Sequence, residues 1–113
     1  MIKLGNPFST IADSDVTEVV RRLVAELGPQ AIYLFGSQVV GVPGRDSDLD
    51  LMVIVINVAT AQELNRRGYA CLRGIDVPVE LHFSSQTRFN RFADVFGSLQ
   101  YDIKHIGVLV HAT

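Results

Sequence analysis

The segment Leu49 to Ile56, LDLMVIVI, restricts the fold of this chain more than any other stretch. Beyond Asp50 it is continuously apolar, as expected of a central strand covered on both faces. Asp48 and Asp50 stand at its mouth. Because strand side chains alternate, the two carboxylates point one way while Leu49, Leu51, Val53 and Val55 point the other. Like charges on one face repel unless something positive lies between them, and a divalent cation with oxygen ligands is the usual solution.

The surrounding residues give this strand its setting. Asp13 or Ser14 caps an expected helix to Leu27, with Val16, Val19, Val20, Leu23, Val24 and Leu27 on one face, and Gly28-Pro29 ends it. Ala31 to Phe35 is a first strand, broken at Gly36-Ser37. A short helix over Gln38 to Val40 precedes a Gly/Pro-rich loop, and Asp48 to Ile56 is the second strand. Ala59 to Arg73 reads as a helix, with Thr60 or Asn57 near its start and Gly74 past its end. In the third strand, Val77 to Phe83, Pro78 cannot donate to a ladder, so the strand begins late or lies at an edge. Its Pro78, Glu80 and His82 share one face. Ser84 or Ser85 then caps a helix to about Phe96, Leu99 to Ile106 forms another, and Val108 to His111 adds a last strand. The sum is an α/β (α+β) fold: a small mixed sheet of three to four strands flanked by helices. Phe83, Phe89, Phe92 and Phe96 are expected in its core.

At 113 residues the chain is read as one domain, 1–113, with 1–12 a loose N-terminal arm. A formal net charge of -2 argues against a polynucleotide binder, although a nucleotide needs only a local positive site. No apolar run approaches membrane-spanning length, and MIKLGNPFS lacks the apolar region of a signal peptide. Together with the single cysteine, Cys71, this makes the expected compartment cytoplasmic and Cys71 a buried structural thiol.

Gly36-Ser37 alone is an ordinary turn, and Asp48 and Asp50 alone are strand-end residues. Joined at this spacing, Gly-Ser, ten residues, then Asp-Leu-Asp between apolar residues, they resemble the signature of the minimal nucleotidyltransferases, a branch of the DNA polymerase β-like superfamily. Ser47 before the first Asp and Leu51 after the second also match. The resemblance implies a nucleotidyltransferase fold and magnesium-dependent transfer of a nucleoside monophosphate, AMP from ATP first, to an acceptor hydroxyl. It implies two Mg2+ held by Asp48, Asp50 and a third acid on a neighbouring strand. Glu80, in Pro78-Val79-Glu80-Leu81, fits that position with one methylene more than the usual Asp, and Asp76 is the fallback.

Gly36 and Ser37 would then hold the triphosphate. Arg45 would stand in for an Arg that the family often carries just after Gly-Ser, where this chain has Gln38-Val39-Val40. His82 reads as a supporting or surface group beside Glu80. Chains of this kind are often paired with a small helical HEPN-type protein in a toxin–antitoxin module, which makes such a protein the expected partner and acceptor. Two other functions compete. A catalytically weakened binding or regulatory module is suggested by Glu80 and the missing Arg. A drug-modifying transferase would, in a chain this short, need a homo-oligomer whose second copy closes the cleft.

Overall fold

The computed structural model describes residues 13–36, 48–56 and 60–113. The expected N-terminal arm and the short Gln38–Val40 helix lie outside them. In chain order the elements are α1 (Asp13–Leu27), β1 (Ala31–Phe35), β2 (Leu49–Val55), α2 (Ala61–Cys71), β3 (Val79–Ser85), α3 (Gln86–Phe92), α4 (Leu99–Ile106) and β4 (Val108–Ala112). The strands form one four-stranded sheet in the order β3-β2-β1-β4. β1 runs antiparallel to β2 and β4, whereas β2 and β3 are parallel, so the α/β mixed sheet expected from the sequence is present.

Each local signal has a visible cause. α1 stops at Gly28, which takes a φ of 55° and donates its N–H to the Val24 carbonyl at 3.0 Å. Thr60 caps α2, accepting from the Glu63 N–H at 3.2 Å. Pro78 does delay β3, which opens at Val79, while the Pro78 carbonyl accepts from the Leu49 N–H at 2.9 Å and starts the pairing with β2. β3 is also an edge strand. Its outward Leu81 N–H is taken by the Tyr69 hydroxyl of α2 at 2.9 Å, which covers part of that edge.

The central strand is buried on both faces, and each face belongs to a different core. Leu49, Leu51, Val53 and Val55 pack with Ile32, Leu34 and Leu81 beneath α1 and α2. Met52 and Ile54 join Phe89, Ala93 and Ile103 on the other face, where Tyr33 stacks on Phe89 with ring centroids 5.3 Å apart. Polar ties lock the first layer. Arg22 donates to the Cys71 and Arg73 carbonyls at 3.3 and 2.9 Å, satisfying the C-terminal end of α2, and Arg67 donates to the Glu26 carbonyl at 2.7 Å. Cys71 donates its thiol to the Gly68 carbonyl, and burial pushes its pKa up, as befits a structural thiol.

The helix expected to run to Phe96 ends instead at Phe92. Ser98 bonds the Phe92 carbonyl at 2.7 Å while capping α4, so residues 93–97 form the corner between two short helices. Phe96 is therefore not core: it is 86% exposed and meets only the edge of the Tyr101 ring among the aromatic side chains. Among the described residues no helix is long and apolar enough to cross a membrane.

Truncating a fully buried central side chain should cost far more than altering that exposed aromatic. Leu51→Ala is expected to lower unfolding free energy by about 2–5 kcal/mol, and Phe96→Ser by less than about 0.5 kcal/mol, both read from urea denaturation midpoints.

Candidate metal centre

Among the described residues, α3 and α4 cover only part of the second sheet face. The remainder, at the N-terminal ends of β2 and β3, carries Asp50, Glu80, His82 and Phe35. Register places them: Asp50 pairs with Glu80 and Met52 with His82 across the parallel β2/β3 ladder, while Phe35 of β1 pairs with Asp50 from the other side. Residues paired across a ladder project from the same face, on strands about 4.8 Å apart. Two carboxylates are thus forced side by side.

One ligand atom each from Asp50, Glu80 and His82 lies within 4.8 Å of the others. His82 Nε2 stands 3.8 Å from Asp50 Oδ1 and 3.7 Å from Glu80 Oε1. The Asp50 side chain is 21% exposed and that of Glu80 54%. Burial raises the Asp50 carboxyl to a pKa of about 6; the adjoining Glu80, by hydrogen bonding and charge, and the Asp48 charge add to the rise, and His82 opposes it.

The sequence-derived candidates divide three ways. Asp50 and Glu80 are brought together. Asp48 is exposed, one residue before β2, and reaches Asp50 through its charge without joining the close cluster. The fallback, Asp76, is exposed and also outside the cluster. Ser37 and Arg45 lie outside the described residues. His82, expected from the sequence to be a supporting group, stands at the centre of the cluster. Its signal is the Glu80-Leu81-His82 spacing, which puts both polar groups on one strand face.

Gly36 has a role that the turn alone would not reveal. Its φ is 81°, and a Cβ there would overlap Asp50 Oδ2. The Asp50 carboxylate therefore rests against bare backbone, which only glycine provides. The donor set suits a divalent cation: two carboxylates and an imidazole on a partly open face, with an Nε2 that is buried and has no hydrogen-bond partner.

A nucleotidyltransferase-domain family model matches residues 16–105, and the chain belongs to that family. Among solved structures it is similar to a mutant of the toxin–antitoxin pair MntA–HpeT, with a TM-score of 0.50 at 19% identity over 91% of this chain and 75% of that one. A search of curated proteins returns no significant match. The family and the fold are those that the Gly-Ser and Asp-x-Asp pattern led one to expect.

Two measurements probe the cluster. With a folded pKa near 6 against about 3.9 unfolded, Asp50 binds its proton more tightly in the native state, so stability falls as pH rises from about 4 to 6 and stays low above. In chelator, Asp50→Asn should stabilise the protein at pH 8 by about 1 kcal/mol, allowing for solvent screening of a partly exposed carboxylate, a few degrees in melting temperature, with the advantage vanishing towards pH 4. Gly36→Ala should cost at least about 1 kcal/mol. Part of that loss should be recovered in an Asp50→Ala background, measured as a double-mutant cycle.

Proposed function

We propose that this chain transfers a nucleoside monophosphate, AMP from ATP in the first instance, to an acceptor hydroxyl. The acceptor oxygen bonds to the α-phosphorus, the bond to the bridging oxygen of the β-phosphate breaks, and pyrophosphate leaves. The hydroxyl proton passes to a carboxylate of the site or to solvent. The observation that carries this reading is the pairing of Asp50 with Glu80 on one sheet face, in a chain of the nucleotidyltransferase family.

Asp50, Glu80 and Asp48 would hold the divalent cations, for which the resemblance implies two Mg2+. When bound, such ions neutralise charge on the phosphates and favour the ionised acceptor. Asp50, held against Gly36, fixes the position of the centre. Glu80 is the more exposed of the two carboxylates. Gly36 leaves room for a close approach, and Ser37 and Arg45 are assigned to the triphosphate by resemblance.

A second protein is the best-supported acceptor. A structurally similar protein, MntA, was solved as part of a toxin–antitoxin pair, and it is the family resemblance that makes a small helical HEPN-type chain the partner expected here. Incubating the purified chain with α-labelled ATP, Mg2+ and host lysate should label one acceptor. Asp50→Asn and Glu80→Gln should each cut that labelling at least about a hundredfold. A wild-type chain that binds a partner but transfers no label from any nucleoside triphosphate would leave a non-catalytic binding module instead.

A further inference from the structure

We infer that His82 Nε2 is itself a ligand of the cation at this centre, making it a mixed nitrogen–oxygen site that takes a transition dication such as Mn2+ in preference to Mg2+. The inference rests on the reading of this cluster as the metal-dependent transferase site and names the ion that the site selects.

Nε2 is buried although the side chain as a whole is 31% exposed, and among the described residues it has no hydrogen-bond partner. Buried polar atoms are nearly always paired, so an orphan has a reason. Its separations from Asp50 Oδ1 and Glu80 Oε1, 3.8 and 3.7 Å, are too long for hydrogen bonds and nearly equal. Ligand atoms about 2.0–2.2 Å from a common ion stand roughly 3.0–3.5 Å apart at octahedral to tetrahedral angles. On the imidazole's side, a contraction of a few tenths of an ångström towards each carboxylate would bring Nε2 within the separation of atoms that share one ion.

The imidazole is also held in place. Its ring lies 5.3 Å from that of Phe35 at an interplanar angle of 59°, and Phe35 belongs to the strand on the far side of β2. His111 provides the contrast. Its Nε2 is likewise buried and unpartnered, yet among the described residues no carboxylate stands within 4.0 Å of it. An orphaned nitrogen alone would say little; one aimed between two carboxylates has the spacing of a coordination site.

The chemistry then sets the preference. Mg2+ favours oxygen ligands and keeps its waters, whereas imidazole nitrogen suits first-row transition ions, and Mn2+ accepts both. Three protein ligands leave coordination positions for phosphate and acceptor oxygens.

Pulsed electron paramagnetic resonance of the untagged full chain loaded with Mn2+ should show nitrogen hyperfine coupling, lost in His82→Gln. Calorimetric titration should show Mn2+ affinity falling at least about tenfold in that variant while Mg2+ affinity changes less than about twofold. No Mn2+ binding, bound Mn2+ without nitrogen coupling, or equal losses for both ions overturns the inference. The wild-type spectrum is decisive even if the variant folds poorly. Label transfer from ATP, followed in parallel, separates the two readings. Transfer that requires Asp50 in a protein without nitrogen coupling removes only the histidine ligand; nitrogen coupling with no transfer removes only the enzymatic reading.

Discussion

The parallel pairing of β2 with β3 is the constraint on which the rest of the molecule depends. It sets Asp50 beside Glu80 on neighbouring strands and Met52 beside His82 one step along. Two acids so placed cannot both ionise without repulsion, and partial burial of Asp50 worsens the conflict, as its raised pKa shows. Among the described residues, His82 opposes the rise without cancelling it. A sheet built only for stability would place an apolar residue at one of the two positions, and such local conflicts are characteristic of functional sites.

The two cores explain why the conflict is tolerated. Leu49 and Leu51 flank Asp50 in sequence, are fully buried beneath α1 and α2, and anchor the strand from behind. On the site face, α3 and α4 cover Met52 and Ile54 but stop short of Asp50. The short helices and the corner at 93–97, fixed by Ser98, set that boundary. Phe35 borders the cluster from β1 and supports His82. The extent to which α3 and α4 cover this face is thus a product of helix length and cap position as much as of strand register.

Much of this is legible in the residues, because the strongest signals are local. The unbroken apolar run of β2, the alternation in Val79-Glu80-Leu81, the glycine at the end of α1 and the Thr60 cap each act within a few neighbours. What escapes depends on pairing across the chain. Strand alternation places Glu80 and His82 on one face but cannot say which β2 residue lies opposite, so the central position of His82 appears only with the register. Asp48 shows the converse: alternation groups it with Asp50, yet the ladder begins at Leu49, and beyond its end the strand rule no longer applies. Phe96 misleads because an apolar residue near a helix end reads as core, while a serine six residues after Phe92 ends the helix early.

Gly36 joins the local and the long-range levels. From sequence it marks a turn; in the fold it is the surface against which the Asp50 carboxylate lies, and its positive φ and the lack of space for a side chain coincide. β1 and β2 are antiparallel neighbours with Phe35 opposite Asp50, so the residue after Phe35 must pass close to the acid whatever its identity. A glycine at that point lets the chain turn away from the strand without displacing the carboxylate. The closeness of Gly36 to Asp50 in space is consequently a product of the β1/β2 register. A cation bound at the cluster would offset the repulsion between Asp50 and Glu80 and tie β2 to β3. Ligand binding and fold stability are then linked through the same few side chains.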